Sequence, residues 1–242
     1  NITKAIAGIS SKRMIPGIAS QTFRKWYGRN FKRHPQKKMV VLWVDTFNNF
    51  FSPDILKVGA EVLDAAGYEV VIPKPILCCG RPLYDYGMLK TAKKLLLRIL
   101  DALRSYIRNG IPVVGLEPGC VAVFRDELCN LLPHDEDAKR LKHQTFTLGE
   151  FLEKEAGHFQ IPLLQQKAIV HGHCHHKAIM KFDPEIQILK KLGLDFELPD
   201  SGCCGMAGGY GYEKKHYDIS VKCAERVLLR AIRRTDKDVL II

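Results

Sequence analysis

The 242-residue sequence has no run of about 18 apolar residues, so it predicts no membrane-spanning helix. It shows no secretory signal pattern, and its eight cysteines are too sparse for a disulfide scaffold. The CxxC spacing typical of ferredoxins and zinc ribbons is missing as well. These absences favour a chain of the cytoplasm, or one bound peripherally on the inner face of a membrane. Because the first residue is Asn rather than Met, we also expect a fragment of a longer protein.

Acidic residues are absent from residues 1–38, which carry ten of the 37 Lys and Arg residues of the chain. The remainder holds 27 basic and 26 acidic residues, so the basic excess is concentrated in this N-terminal segment. Three interpretations stay open: a solvated connector, a surface for an acidic partner domain, or peripheral contact with an anionic membrane. We do not expect nucleic acid as a partner, because no base-reading motif or aromatic platform accompanies the charge.

The motif Cys-Cys-Gly occurs twice, at Cys78-Cys79-Gly80 and at Cys203-Cys204-Gly205. Thiolates are soft ligands that suit iron–sulfur clusters and zinc. A glycine after them lets the backbone turn tightly beside a bulky inorganic group, so Gly80 and Gly205 are candidate cofactor-binding residues. The repeated motif therefore indicates a protein that holds a metal or a metal cluster for electron transfer.

The surroundings of the two motifs also repeat. Apolar runs at residues 39–44, 68–72 and 111–116 predict three strands, and amphipathic stretches between them predict helices from Pro53 and from Met88. The same order recurs from Ala168 to the end of the chain. Strands that alternate with helices predict an α/β fold with parallel sheets. We expect two pseudo-symmetric lobes, each a small parallel sheet flanked by helices, with a site between them or one in each.

The periodicity of the predicted helices indicates which faces are buried. On the helix that starts at Pro53, the inward face is expected to comprise Ile55, Val58, Val62, Leu63 and Ala66. On the long helix at residues 88–107 it is expected to comprise Leu89, Ala92, Leu96, Ile99, Leu100 and Leu103. In the second copy, residues 217–232 predict one continuous helix.

We therefore predict four segments: a basic connector at 1–38, a first lobe at 39–128, a linker at 129–166 and a second lobe at 167–242. Within the linker, Thr147 and Glu150 form a capping-box pattern that predicts a helix start. The two copies are not equivalent, because Asp45 falls where the second copy has Cys174. The second copy also stops before a counterpart of Cys120, so we expect a further segment with at least one more cysteine.

Six cysteines follow predicted strands or lie in the loops that leave them: Cys78, Cys79, Cys120, Cys174, Cys203 and Cys204. Because ligands bind at the carboxyl edge of a parallel sheet, these thiols are candidate metal ligands that converge there. The alternative is buried, inert cysteine, which we expect for Cys129 and Cys223 on helical patterns. Zinc is the main inorganic alternative to an iron–sulfur cluster, since the ligands come from separate loops.

Four histidines surround Cys174: His171, His173, His175 and His176. Imidazole suits zinc and iron, and alternation along an extended segment would put the first three on one face. A histidine beside a cluster also commonly donates a hydrogen bond to sulfur instead of binding metal. We therefore treat His173 and His175 as candidate cofactor-binding residues, in either role. No residue is predicted to be catalytic.

The chain resembles the cysteine-rich CCG domain over residues 39–242, through the stretches CCGRPLYDYGML, GLEPGCVAVFRDEL, HGHCHHKA and DSGCCGMAGGYGYE. That domain occurs in the cysteine-rich subunit of heterodisulfide reductase and in the iron–sulfur subunits of glycolate oxidase and anaerobic glycerol-3-phosphate dehydrogenase. The resemblance is strongest to the C-terminal region of fused FAD-linked oxidases, where a flavin dehydrogenase domain and a ferredoxin-type segment precede tandem CCG regions. The basic segment is similar to the connector that leaves the ferredoxin-type segment.

The resemblance implies an iron–sulfur, electron-transfer role in a flavin-dependent 2-hydroxyacid dehydrogenase of the D-lactate or glycolate type. FAD in another domain would take the hydride, and iron–sulfur centres would pass electrons to an acceptor such as a membrane quinone. This chain would be the iron–sulfur part of the oxidoreductase and not catalytic alone. Because Asp45 and Val123 stand at cysteine positions of the family, one cluster bridging the lobes or one in the second lobe is expected over two independent clusters.

Two functions of other classes stay open. One is a structural zinc module that docks subunits. The other is a thiol–disulfide reductase of the heterodisulfide type, in which the vicinal cysteines act as nucleophiles. That chemistry needs at least one exposed thiol with a low pKa.

Overall fold

The computed structural model describes residues 2–242, with side chains from Lys4 onward. The chain divides into two compact units. The first unit comprises Gly17–Gln160 and Ile179–Ile188, and the second comprises residues 2–16, Ile161–Ala178 and Leu189–Ile242. Across residues 2–242, every helix falls short of the length and apolar character that crossing a bilayer requires.

Each unit is built on one parallel sheet. The first sheet has the order β2-β1-β3-β4, with the strands β1 Lys38–Trp43, β2 Tyr68–Val71, β3 Val113–Gly115 and β4 Thr145–Thr147. The second has the order β6-β5-β7, with the strands β5 Lys167–Ile169, β6 Asp195–Glu197 and β7 Leu240–Ile241. In register, Val41 lies opposite Val71 and Val113, and Ile169 lies opposite Glu197 and Ile241. The predicted α/β class, with two small parallel sheets flanked by helices, is confirmed.

The helices in chain order are α1 Ile2–Ile6, α2 Phe23–Asn30, α3 Thr46–Phe50, α4 Pro53–Ala65, α5 Arg81–Asp85, α6 Leu89–Arg108, α7 Pro118–Arg125, α8 Glu127–Leu131, α9 Glu136–Gln144, α10 Leu148–Lys154, α11 Asp183–Lys191, α12 Tyr217–Glu225 and α13 Leu228–Arg234. A π-helix covers His176–Met180, and 3-10 turns cover Tyr210–Tyr212 and Lys214–His216. The continuous helix predicted for residues 217–232 is wrong, because the backbone leaves helical geometry at Val227 (φ −138°, ψ −57°) between α12 and α13.

The two sheets repeat the same topology. In each, the first strand in sequence lies between the second and the third, so β2-β1-β3 corresponds to β6-β5-β7. The glycines that follow α4 and α11 also correspond, since Gly67 (φ 93°) and Gly193 (φ 70°) both adopt left-handed backbone conformations. Glycine populates this region without a Cβ penalty and so ends a helix sharply. The internal repeat predicted from the sequence is therefore present in the strand order.

Alternate residues of β1 enter two apolar clusters, because successive side chains of a strand point to opposite faces. Val41 and Trp43 belong to one cluster, and Val40 and Leu42 belong to the other. The first cluster contains the buried residues of α6, which are Ala92, Leu96, Ile99, Leu100, Leu103 and Ile107. The predicted inward face of α6 is confirmed except at Leu89, which is exposed.

The predicted inward face of α4 is partly wrong. Leu63 is buried as expected, but Ile55 and Val58 are at least half exposed, and the buried stripe runs instead through Leu56 and Ala60. Both series are apolar, so periodicity alone does not choose between them. Gly59 lies on the buried stripe with Leu56 and Ala60 and packs closely on Leu116, since a Cβ there would lie 2.5 Å from Leu116 Cδ1.

Residues 129–160, within the segment predicted as a linker, supply α9, β4 and α10 of the first unit. The capping box at Thr147 and Glu150 is present and opens α10, as predicted. Arg125 ties this part to α7, because its guanidinium donates to Thr145 O (2.8 and 3.0 Å) and to both carboxylate oxygens of Glu150 (2.8 Å each). Glu150 is almost fully buried, so Arg125 compensates a charge that lies out of water.

Arg125→Ala is expected to destabilise the protein by about 3 kcal/mol, because it leaves the buried Glu150 carboxylate without its partner. The matched control is Arg108→Ala, which removes an ion pair between a largely exposed arginine and Asp137 and should cost much less, because solvent screens the pair. Urea unfolding followed by circular dichroism measures both. Equal losses from the two variants would contradict the role given to Arg125.

Candidate metal centre

In the first unit, three strands deliver candidate ligands to one edge of the sheet. Asp45 follows β1, Cys78 and Cys79 lie in the loop after β2, and Cys120 lies in the first turn of α7, which follows β3. Because β1, β2 and β3 are parallel, their carboxyl ends meet at the same edge. The topology alone therefore gathers residues that are up to 75 positions apart in the sequence.

Cys79 contacts both other thiols of this edge. Cys79 Sγ lies 3.0 Å from Cys120 Sγ, and the Cys78 thiol interacts with the Cys79 thiol and with the Thr46 side chain. Cys79 and Cys120 are 4% and 6% exposed and pack in the apolar cluster that contains Trp43, whereas Cys78 is half-buried.

Contact and burial together raise the pKa values of two of these thiols, Cys78 and Cys79. The hydrogen bond with Cys79, and burial after it, raise the pKa of Cys78. The Cys120 thiol chiefly, with burial in addition, raises the pKa of Cys79 well above its ordinary value. Metal binding to this edge would have to release the thiol protons, because thiolate is the form that coordinates a metal.

Asp45, which stands where the second copy has Cys174, serves as the N-cap of α3. Its Oδ1 accepts from the Asn48 backbone N–H and its Oδ2 from the Asn48 side-chain amide, both at 2.8 Å. Burial raises the pKa of the Asp45 carboxyl. Both oxygens thus already have protein donors, so Asp45 fits the role of a helix cap better than that of a free metal ligand.

Sequence reasoning did not single out Glu117, a second carboxyl at this edge. It caps α7 by accepting from the Gly119 N–H at 2.9 Å, and burial, with a smaller contribution from Asp45, raises its pKa. The signal that could have identified it is the order Glu117-Pro118 before the helix of Cys120, since proline favours the first helical position after a capping side chain.

The second unit groups a different set of donors. One ligand atom each from His173, Cys174 and His175 lies within 4.8 Å of the others, which is close enough for one metal ion. The His173 and His175 rings stack with centroids 5.4 Å apart, and His175 Nδ1 lies 3.7 Å from Cys174 Sγ. All three residues are half-buried, so the group is open to solvent on one side.

The second Cys-Cys-Gly motif lies within electrostatic reach of this group. Burial first, and then the Cys203 and Cys204 thiols, raise the pKa of Cys174. Cys203 is exposed and Cys204 is half-buried, in contrast with the buried Cys79. The Gly205 N–H donates a hydrogen bond to Cys203 Sγ at 3.2 Å. The second unit thus offers sulfur and imidazole ligands that are partly accessible, and one of the sulfurs accepts a backbone hydrogen bond. This set fits a thiophilic metal or an iron–sulfur group.

His171 does not join the group formed by its neighbours. Its Nδ1 lies 2.7 Å from Ser201 Oγ, and Lys177 Nζ donates to Ser201 O at 2.5 Å. Burial, and then the Lys177 charge, lower the pKa of His171. Sequence reasoning missed Ser201, which is buried two residues before Cys203 and links the histidine segment to the cysteine loop.

Both motif glycines have left-handed backbone conformations, with φ 78° at Gly80 and φ 82° at Gly205. Gly80 is the N-cap of α5. At Gly205 the constraint is also steric, because a Cβ would lie 2.1 Å from the carbonyl oxygen of Ser220 on α12. The tight turn predicted for these glycines is thus seen at both, although their role in cofactor binding stays a prediction.

The two remaining cysteines lie on helices. Cys129 on α8 approaches Ala138 O at 3.7 Å, and Cys223 lies on α12. Both are half-buried, which is less than the buried packing predicted for them.

Two parallel sheets, each with a Cys-Cys-Gly turn at the carboxyl side of its second strand, define a duplicated cysteine-rich α/β protein. The family model described as the CCG cysteine-rich domain matches residues 45–125 and 170–242, and the chain belongs to this family. The two matched stretches leave out the region of β4 and α10.

Three curated proteins illustrate the range of relatives. One subunit of the anaerobic glycerol-3-phosphate dehydrogenase of Escherichia coli K12 is 29% identical over 238 residues, which cover 96% of this chain and 60% of that protein. Lactate utilization protein A of Halalkalibacterium halodurans is 31% identical over 210 residues (84% and 83%). D-2-hydroxyglutarate dehydrogenase of Pseudomonas putida is 26% identical over 187 residues (76% and 18%). The chain thus spans about 60% of the length of the E. coli protein that it matches.

Gly205→Ala is expected to destabilise the second unit by roughly 2 kcal/mol more than Gly208→Ala, on the scale of strained backbone and overpacking. Both glycines have positive φ, but only Gly205 has a backbone atom in the path of a Cβ, whereas Gly208 has no atom within 4 Å. Chemical denaturation followed by circular dichroism compares the variants. If Gly208→Ala is as damaging, the close approach of Gly205 to Ser220 is not what matters.

Proposed function

We propose that this chain is the iron–sulfur, electron-transfer part of a flavin-dependent 2-hydroxyacid dehydrogenase. The observation that carries the proposal is the convergence in the second unit of Cys174 with His173 and His175, with the Cys203–Cys204 pair in electrostatic reach. Two relatives support the substrate class, because their names refer to lactate and to D-2-hydroxyglutarate, which are both 2-hydroxy acids. The D-lactate or glycolate type is the substrate range that we propose.

Several residues of the second unit would together bind the iron–sulfur group. Cys174, Cys203 and Cys204 would supply sulfur ligands, with His173 and His175 as further ligands or hydrogen-bond donors to sulfur. The Gly205 N–H already donates to Cys203 Sγ and would lower the cost of its negative charge. When bound, an iron–sulfur group supplies one-electron transfer, which no protein side chain of this site provides.

In the first unit, Cys78, Cys79 and Cys120 are proposed as further sulfur ligands. They meet at one edge, yet Cys79 and Cys120 are buried, the Cys120 thiol and burial raise the pKa of Cys79, and Asp45 is occupied as a helix cap. This donor set fits a metal less well than that of the second unit. We therefore assign the principal centre to the second unit.

The whole protein would need partners that this chain does not contain. We propose a flavin dehydrogenase domain or subunit that carries FAD, a ferredoxin-type segment, and an electron acceptor such as quinone. The names of the relatives support a dehydrogenase as the partner, since two of them are dehydrogenases or dehydrogenase subunits. A cytoplasmic location, with peripheral contact to the inner face of the membrane through the basic segment 1–38, is part of the same proposal.

Zinc is the second candidate, because a group of two histidines and one cysteine is also a common zinc ligand set. The chain would then dock subunits without taking part in redox chemistry. The raised pKa values of Cys78, Cys79 and Cys174 disfavour these three thiols as nucleophiles of a thiol–disulfide reductase, since a nucleophilic thiol needs a lowered pKa.

Anaerobic purification or reconstitution with iron and sulfide is expected to give a brown protein with a visible absorption band and acid-labile sulfide. Cys174→Ser and Cys203→Ser should each remove most of the iron, while Cys223→Ser, on α12, should retain it. Iron and sulfide analysis of the four proteins measures this. Fewer than about one iron per chain in the wild type would count against the proposal, and a colourless protein with stoichiometric zinc would favour the docking module.

A further inference from the structure

Two arginines of the basic N-terminal segment each contact the surroundings of one Cys-Cys-Gly motif. Arg13 belongs to the second unit and Arg24 to the first. In the sequence both belong to the same basic segment, but in the structure each donates hydrogen bonds to its own set of acceptors.

Arg13 is fixed on the loop that follows Cys204. Its Nε donates to Gly211 O at 2.8 Å, and one terminal nitrogen donates to Ser220 Oγ at 2.6 Å. Its guanidinium also lies over the Tyr217 ring, 5.0 Å from the centroid. A planar guanidinium holds several acceptors in a fixed arrangement, so Arg13 sets the position of Gly211 relative to α12.

The backbone around Arg13 is anchored to the same loop. Ser10 N donates to Tyr212 O and Lys214 N donates to Gly8 O, both at 2.8 Å. Ile9 forms an isolated antiparallel bridge with Glu213. These backbone contacts lie on either side of Arg13 and help to hold this segment against the loop, so the Arg13 side chain is not its only anchor.

Ser220 connects Arg13 to the cysteines. It is fully buried, its Oγ accepts from Arg13, and its backbone carbonyl is the atom that any Cβ at Gly205 would strike. Gly205 in turn follows Cys204 directly and donates its N–H to Cys203 Sγ. Two residues, Ser220 and Gly205, therefore separate the Arg13 guanidinium from the cysteine pair.

Arg24 makes the corresponding contacts in the first unit. One terminal nitrogen donates to Pro73 O (2.7 Å) and Lys74 O (3.3 Å), and the other donates to Pro75 O (2.9 Å). These carbonyls belong to the segment between β2 and Cys78, which has no sheet ladder to satisfy them. The Arg24 backbone N–H is itself held by Asn49 Oδ1 at 3.1 Å, on α3.

We propose that Arg13 and Arg24 are positioning residues for the two cysteine motifs, Arg13 for Cys203–Cys204 and Arg24 for Cys78–Cys79. The basic segment would then hold both thiol pairs in place from outside the sheets. The proposal rests on the proposed function only in taking these loops as metal-binding, and its main test uses metal-free protein.

The test is the alkylation rate of each cysteine in the metal-free, reduced protein, resolved by peptide mass mapping with iodoacetamide. Cys78 and Cys204 are both half-buried, so they form a matched pair of reporters. Arg13→Ala is expected to speed alkylation of Cys204 about tenfold and to leave Cys78 unchanged, because loss of a charged hydrogen bond opens the loop locally. Arg24→Ala should do the reverse, and Arg29→Ala, exposed on the same helix as Arg24, should change neither.

The buried Cys120, on α7 outside both motif loops, shows whether a variant is still folded, since general unfolding would make it reactive together with all the others. If each variant speeds both reporters equally while Cys120 stays protected, or if neither speeds its own reporter, the assignment is overturned. Arg13→Lys adds a second criterion: a single amine lacks the planar fork with which Arg13 donates from two nitrogens to Gly211 O and Ser220 Oγ, so we expect it to resemble Arg13→Ala within about threefold. Full protection by lysine would show that charge alone suffices, which would also overturn it.

A parallel titration of the same proteins with Co²⁺ separates the two proposals. The expected result is a thiolate-to-cobalt absorption band whose apparent Kd rises about tenfold in Arg13→Ala and stays unchanged in Arg29→Ala. No band in the wild type would count against the metal centre and leave the alkylation result to decide the positioning role. If Co²⁺ binds the wild type and Arg13→Ala with equal affinity, the positioning role of Arg13 is contradicted, but the proposed metal centre is not.

Discussion

The pairing of parallel strands is the constraint on which the rest of this structure depends. A parallel neighbour can be reached only by crossing back over the sheet, so each connection starts from the same edge at which the previous strand ended. In the first unit this places the segments after β1, β2 and β3 side by side, and in the second unit it does the same for those after β5 and β6. Cysteines far apart in the sequence meet because strand order leaves them no other edge. The candidate ligands are thus a consequence of topology, and short strands of two to six residues suffice to produce it.

The duplicated topology does not produce duplicated chemistry. In the first unit, the position of Cys174 is taken by Asp45, whose oxygens both accept from Asn48, and two of the three thiols pack into the apolar cluster of Trp43. In the second unit the donors are half-buried or exposed, and a backbone N–H already points at a sulfur. Contact with the Cys120 thiol and burial raise the pKa of Cys79, which makes it a poorer metal ligand. The same topology thus buries Cys79 and Cys120 in one copy and leaves Cys203 and Cys204 accessible in the other.

The features that depend on local sequence pattern could be predicted: the strand around Val41, the long helix α6 and the capping box at Thr147. Periodicity predicted the wrong buried stripe on α4, because Ile55 and Leu56 begin two apolar series and the choice depends on packing against residues distant in sequence, such as Leu116 beside Gly59. The three-residue strand β4 has the sequence Thr-Phe-Thr, too short for a period to show, and it exists because the edge of β3 is free to pair with it. The thiol cluster could be predicted as a convergence on one edge, but the separation of His171 from His173 and His175 depends on Ser201 and Lys177, which carry no motif.

The basic segment 1–38 is uniform in composition but is divided between the two structural units. By composition, residues 1–38 are one unit, yet residues 2–16 lie in the second unit and residues 17–38 in the first. Several of its cations also have acceptors within the chain: Arg33 pairs with the buried Glu69, and Lys37 and His34 both contact Asp64. An arginine that compensates a buried carboxylate is not available to an outside partner without exposing that carboxylate unpaired, at a cost that exceeds what a surface contact returns. Any acidic domain or anionic surface that this segment meets must therefore use the cations left over, such as Lys25, Arg29 and Lys32, rather than the whole run.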